Sequence, residues 1–136
     1  MAALGGVQSM IISVDGDSLS VWGRTKRGAV ALGDSSSCLP CPAGGDGLPS
    51  PWLAGSCAFD HCCALSDGRV FVFGSNTFGQ LGTGNRVGLN AQVALCRDSF
   101  GGADVQSVSA SGWHTACVTA DGKIFTFGRG TFGQLG

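Results

Sequence analysis

One pattern recurs along this chain and limits what it can fold into. Residues 61–82 read HCCALSDGRVFVFGSNTFGQLG and residues 114–136 read HTACVTADGKIFTFGRGTFGQLG, the same string with one residue fewer between His61 and Asp67 than between His114 and Asp121. A fainter copy runs from Gln8 to Gly33. There Asp15-Gly16 stands for Asp67-Gly68 and Asp121-Gly122, and Trp22-Gly23 stands for Phe73-Gly74 and Phe127-Gly128. The unit is a little over fifty residues, which suits a propeller blade better than a helical repeat of about 34.

Each unit carries its own folding instructions. Asp-Gly between two alternating apolar runs marks a tight hairpin, because both turn positions take positive φ. The strands CCALS and RVFVFG are expected to pair around Asp67-Gly68, and TACVTA and KIFTFG around Asp121-Gly122. In the second strands Phe71 and Phe73 share one face while Val70 and Val72 share the other; Phe125 with Phe127 and Ile124 with Thr126 repeat the arrangement. A strand that is apolar on both faces must be covered on both, as in a sheet stacked between neighbouring sheets. Further strands are expected at Ala91–Cys96 and Val105–Ala110, about four per unit. Composition agrees: all nine acidic residues are aspartate and 24 residues are glycine, so helix formers are scarce and turn formers abundant. The expected fold class is all-β, with four-stranded antiparallel sheets as propeller blades.

The run Gly128-Arg129-Gly130-Thr131-Phe132-Gly133 is a literal G-x-G-x-x-G behind a strand, the spacing of a dinucleotide-binding loop. The second copy has Asn76 in place of the middle glycine, and no helix-forming run or later acidic residue follows the third copy. The pattern therefore reads as a repeated structural turn, with Gly130 and Asn76 chosen for tolerance of the left-handed conformation.

Other classes of chemistry find little support. Net charge is −1 and the basic residues are scattered apart from Arg24, Lys26 and Arg27, which does not make the basic stripe that direct nucleic-acid binding needs. No run reaches the roughly 18 apolar residues of a membrane span, and the first residues do not resemble a secretion signal. An intracellular location, cytoplasmic or nuclear, is expected. The seven cysteines, Cys38, Cys41, Cys57, Cys62, Cys63, Cys96 and Cys117, are odd in number, which favours thiols over a disulfide framework. Cys38-Leu39-Pro40-Cys41 has C-x-x-C spacing, but it sits in a Ser/Pro/Gly-rich stretch without a second pair, and reads as incidental rather than metal-binding or redox-active. His61 and His114 fall at equivalent positions, which favours a repeated structural hydrogen bond over catalysis or metal binding. Trp22, aligned with Phe73 and Phe127, is expected in the core. No catalytic, cofactor-binding or metal-binding residue is assigned, no cofactor is expected, and the chain is read as non-enzymatic. Arg129, Thr77, Asn85 and Arg86 are loop residues with no assigned role.

On the strings ALSDGRVFVFGSNTFGQLG, VQSVSASGWHTACVTADG and HTACVTADGKIFTFGRGTFGQLG, the chain resembles the regulator-of-chromosome-condensation repeat family. The resemblance implies a seven-bladed propeller of which this chain supplies an incomplete ring, and the chain is expected to be part of a longer product. Its units are taken as repeat 1 at about 6–58, with a Pro/Ser/Gly-rich insertion at 34–56, repeat 2 at about 59–112, and a truncated repeat 3 at 113–136. A protein-interaction scaffold with a protein partner is the implied function. The alternative is guanine-nucleotide exchange on a Ran-like small GTPase, the activity of the family's founding member. Plant ultraviolet-B receptors share the fold and carry a Gly-Trp-Arg-His-Thr motif; Gly112-Trp113-His114-Thr115 lacks its arginine.

Overall fold

The computed structural model describes residues 1–25, 28–29, 41–42, 51–86, 89–95 and 100–136, and its strands form three antiparallel sheets. The first contains β1 (Ala2–Leu4), β2 (Gln8–Ile12), β3 (Leu19–Thr25) and β4 (Gly28–Ala29) in that order, with β5 (Cys41–Pro42) also paired to β3. The second is β6 (Trp52–Cys57), β7 (His61–Ser66), β8 (Arg69–Gly74) and β9 (Leu89–Leu95). The third is β10 (Val105–Ser111), β11 (His114–Thr119) and β12 (Ile124–Gly128). The all-β class and the blade-like sheets are as the repeat implied.

The hairpins share a base and differ at the tip. At the base Gln8 pairs with Gly23, His61 with Gly74 and His114 with Gly128. At the tip the Asp-Gly pair is met by three loops of different size. Ser66 pairs with Arg69, so Asp67 and Gly68 alone make the turn, at φ of 47° and 69°. In the third sheet Thr119 N donates to Lys123 O and the loop is Ala120–Gly122; in the first, Ser13 N donates to Ser18 O and the loop is Val14–Asp17. Only Gly122 and Gly16 have positive φ in those two tips. The tight turn with two positive φ values thus holds for Asp67-Gly68 alone, because the extra residues of the other copies are absorbed in the tip while the base keeps its register.

A glycine at each base is required by close approach. A Cβ on Gly23, Gly74 or Gly128 would lie 2.7, 2.9 or 2.8 Å from the Cα of Gln8, His61 or His114, at φ of 128°, 104° and 115°. Any side chain there would push the base pair apart.

Two cores lie between the sheets. Met10, Ile12, Leu19, Val21, Trp52, Phe71 and Phe73 fill the first gap; Leu65, Val70, Val72, Leu81, Phe100, Val105 and Cys117 fill the second, with Phe125 and Phe127 packed against it. The alternation along β8 therefore sends its phenylalanines to one neighbour and its valines to the other, each side chain contributing about 1.5–3 kcal/mol by burial. On β12 the outer face is open: Ile124 is 72% exposed. Trp22 is half-buried, outside both buried clusters, so the core position expected of it is not fully met.

Three further expectations change. Trp52–Ser56, placed in the flexible insertion, is part of β6 and pairs with β7; its run Trp52-Leu53-Ala54 is short and was masked by the prolines before it. β10, read as the end of repeat 2, pairs with β11 of the next unit, since the Gly112-Trp113 turn joins them directly. Cys57 and Cys62 form a disulfide although thiols were expected, because register sets them opposite one another across β6 and β7, with Cα atoms 4.1 Å apart. Cys38, Cys96, Lys26 and Arg27 lie outside the described residues, as does most of 34–56; of Arg24 and Cys41 only the backbone is described.

Candidate functional site

The base residues of the first two hairpins, Gln8 and His61, also tie one sheet to the next. His61, fully buried at the start of β7, has Nε2 2.8 Å from Thr115 Oγ1 on β11. Thr115 Oγ1 donates to Gln80 O at 2.8 Å and so spends its only proton. The histidine must then donate through Nε2. Its Nδ1 has no hydrogen-bond partner and faces Asp60 Oδ1 at 3.8 Å. Gln80 Nε2 donates to the same Asp60 oxygen at 3.2 Å. Burial pushes the Asp60 carboxyl up, but the neighbouring His61 ring and the Gln80 amide outweigh it, and its pKa lies below the ordinary value of 3.8. His61 is thus a structural hydrogen-bond donor, unreachable from solvent. His114, its equivalent, is half-buried and makes no side-chain hydrogen bond to the described residues.

The same step joins the first and second sheets with other residues. Gln8 Nε2 donates to Asp60 O at 2.8 Å, and Gln8 Oε1 lies 3.2 Å from Cys62 Sγ. A backbone bond from Val7 N to Phe59 O runs alongside, and one from Phe59 N to Gly112 O belongs to the junction of the second and third sheets.

The G-x-G-x-x-G loop is a pair of successive turns in both copies. Gly79 N bonds Asn76 O and Gly82 N bonds Gly79 O; Gly133 N bonds Gly130 O and Gly136 N bonds Gly133 O. Gln80 Oε1 accepts from Phe78 N and Gln134 Oε1 from Phe132 N, both at 2.8 Å. No helix opens behind the glycines, so the loop has no helix terminus to offer a pyrophosphate. The reason given for the middle position is corrected, however. Neither Asn76 nor Gly130 has positive φ. Asn76 is fully buried and works through its side chain: Oδ1 accepts from Leu81 N, and Nδ2 donates to Thr83 Oγ1 and Asn85 O.

These loops gather at the end of the sheets where β8 and β12 finish, and there they build an aromatic surface. Trp113, in the β10–β11 turn, has its ring 5.5 Å from Phe59 and 6.1 Å from Phe78. Arg129 lies over three rings, with Cζ 5.2 Å from the centre of Trp113, 5.4 Å from Phe78 and 5.6 Å from Phe132. Phe59 is 43% and Phe132 84% exposed. Of the loop residues without an assigned role, Arg129 belongs to this surface. Thr77 is exposed and its hydroxyl meets Ser75 Oγ; Asn85 braces Asn76; Arg86 is exposed beside Phe127 in an open depression of about 420 Å³. Sequence reasoning missed Phe59, Trp113, Phe78 and Phe132 as a group. The repeat itself was a signal for part of it, since Phe78 and Phe132 share one repeat position; Trp113 stands where the second unit has Asp60, and Phe59 where the third has Gly112.

Comparison with known proteins gives two matches to family models, each described as the regulator of chromosome condensation (RCC1) repeat, over residues 67–118 and 105–134. The human E3 ubiquitin-protein ligase HERC2 is 43% identical over 77 residues, covering 56% of this chain and 2% of that protein. Human WBSCR16 superposes with a TM-score of 0.77 at 22% identity, over 94% of this chain and 32% of that one. Prp20p of Saccharomyces cerevisiae superposes with a TM-score of 0.68 at 20% identity, over all of this chain and 32% of that one. The chain thus spans about a third of the propeller chains it matches and a small part of the ligase. Among the described residues no helix is long and apolar enough to cross a membrane.

Proposed function

Since the chain belongs to the regulator of chromosome condensation repeat family, we propose that it serves as a non-enzymatic protein-interaction scaffold, its sheets holding a loop surface rigid for a partner protein. The observation that carries this reading is the aromatic surface of Phe59, Phe78, Trp113 and Phe132, drawn from adjacent units and partly open to solvent. Aromatic residues and arginine are the side chains that anchor protein interfaces. The buried Gln8, His61 and Thr115, by contrast, are spent on joining sheets, and His61 cannot reach a substrate. The ligase activity in the name of HERC2 belongs to a protein of which the likeness covers 2%, and is not carried over. An intracellular setting, cytoplasmic or nuclear, goes with this reading, as do sequence repeat units at about 6–58, 59–112 and 113–136, each offset by one strand from the sheets.

The test is crosslinking of the protein in cell extract followed by mass spectrometry of the joined peptides. Crosslinks from the 75–79, 112–113 and 129–133 loops to one partner support the scaffold; crosslinks to no protein at all overturn it. Nucleotide exchange on a Ran-like GTPase is the second reading. What favours it is that the similar Prp20p was studied for its binding to Gsp1p and histones, at an identity that shows the fold alone. Release of a fluorescent guanosine diphosphate from a Ran-like GTPase separates the two. The scaffold reading expects no acceleration.

A further inference from the structure

We propose that Arg129 and the rings around it form a carboxylate-binding site, and that its occupant is a protein segment carrying an aspartate or glutamate beside an apolar side chain. The inference rests on the scaffold reading and assigns the chemistry of its partner.

The guanidinium has five N–H donors. Nε donates to Thr131 Oγ1 at 3.0 Å, and the donors of both Nη atoms have no partner among the described residues. Among the described residues no carboxylate pairs with Arg129: the ion pairs there are His61 with Asp60 and Lys123 with Asp121. Yet the side chain is not adrift. Trp113, Phe78 and Phe132 surround its head, and the Thr131 bond fixes its turn about the ring stack. Holding an arginine in this way removes rotamer freedom before binding and leaves the two-pronged edge of the guanidinium as the unspent recognition element. That edge matches a carboxylate in a bidentate fashion.

The neighbours decide what accompanies the carboxylate. Phe59 offers open ring surface beside the Trp113 turn, so an apolar side chain next to the acid would be covered as the charge pair forms. Among the described residues Arg129 is the only cation in contact with the rings, and the net charge of the chain is −1. A polyanion gains affinity by multiplying phosphate contacts, which one arginine cannot supply. A single carboxylate on a protein chain fits this surface better.

The probe is a pair of synthetic peptide pools alternating Asp or Glu with Leu or Phe, against matched pools in which Asn and Gln replace the acids. Binding is followed by fluorescence anisotropy. The protein is expected to bind the acidic pools more tightly, with affinity falling as salt is raised. Arg129→Gln should lower that affinity roughly ten- to hundredfold. Arg129→Lys should recover only a minor part of it, since an ammonium lacks the fork. Arg86→Gln, on the neighbouring loop, should bind as the parent does, and unchanged melting curves for all three variants establish that the fold is intact. Equal binding of acidic and amide pools, or indifference to Arg129→Gln, overturns the site. So does a second copy of the chain as occupant, seen as self-association that Arg129→Gln abolishes, or tighter binding of a single-stranded oligonucleotide at equal salt. If crosslinked partners persist with Arg129→Gln unchanged, the scaffold reading stands and this site falls; if no protein partner exists, the scaffold reading itself fails.

Discussion

The two junctions between sheets use one position and two chemistries. Where the first sheet meets the second, Gln8 reaches across to Asp60 O and Cys62; where the second meets the third, His61 reaches across to Thr115. The donors of the two junctions, Gln8 and His61, are repeat equivalents, and so are Cys62 and Thr115. What the repeat conserves within this chain is a place for a buried hydrogen bond between sheets. The residue that makes it is free to vary, provided that it is long enough and carries an N–H. The second junction is the richer one, since Thr115 both accepts from His61 and donates to Gln80 O, fastening the turn pair of the 76–82 loop to the next sheet.

That difference sets the order of expected losses. Thr115→Val keeps the shape but strands two buried groups, the His61 Nε2 proton and the Gln80 carbonyl, and should cost about 2–4 kcal/mol in urea unfolding. Thr115→Ser retains both bonds and should cost less than about 1 kcal/mol. Equal losses for the two would mean that the methyl group, not the hydroxyl, matters. Gln8→Leu, at the poorer junction, leaves the Asp60 carbonyl without its Gln8 donor and should cost about 1–2 kcal/mol by the same measurement. A loss as large as that of Thr115→Val would remove the distinction between the junctions.

How much of this was legible depends on the range of the cause. The hairpin bases were, because a base needs only the apolar alternation and a glycine at 23, 74 and 128, which are local facts. The tips were not, since an Asp-Gly pair does not reveal whether Asp67-Gly68 or Ala120–Gly122 closes the turn; β7 and β11 are equally long, and the one extra residue of the third unit goes into its loop. Asn76 was noticed for the wrong reason: left-handed tolerance is a property of the residue alone, whereas its bonds to Leu81, Thr83 and Asn85 depend on the loop folding back. The structural role of His61 was readable from its recurrence, but its partner Thr115 was not, lying a whole unit away. Arg129 was visible as a loop residue, and its three rings come from separate turns, so only the assembled sheets bring the surface together.

Acid distinguishes the junctions next. Asp60 stands in the second unit where the first has Val7 and the third Trp113, so one junction carries a carboxylate and the other positions do not. Its pKa is lowered in the fold, against burial, by His61 and Gln80. A depressed carboxyl stabilises the fold fully above its unfolded value, here 3.8, and that contribution is lost as pH falls through the lower folded value. Asp60→Asn should therefore be less stable than the parent at neutral pH, with the gap narrowing below pH 3.8 in urea unfolding. A gap that stays constant with pH would show that Asp60 acts by shape alone. Asp121 is the control at the hairpin tip: hydrogen bonds from Lys123 first and Thr119 second bring its pKa to about 2, and it is exposed. Its contribution is also lost on the acid side of pH 3.8, but equally in the parent and in Asp60→Asn, so it cancels in the gap between them.

The smallest effect tests the first junction from the cysteine side. Cys62 holds the position of Thr115, but as a disulfide with Cys57 its sulfur has no proton, so Gln8 Oε1 receives no bond from it. Reduction returns the proton, and at 3.2 Å the thiol becomes a weak donor to Gln8. The cross-link and the hydrogen bond thus compete for the same atom. Comparing parent and Gln8→Leu, each oxidised and each reduced, cancels the stability of the cross-link itself and leaves the coupling between Gln8 and Cys62. The cost of Gln8→Leu should rise by about 0.5 kcal/mol on reduction, since a thiol is a poorer donor than the hydroxyl or amide to which the usual value applies. An unchanged cost would mean that Gln8 joins the sheets through Asp60 O alone, and that the first junction is a single bond where the second is a chain of two.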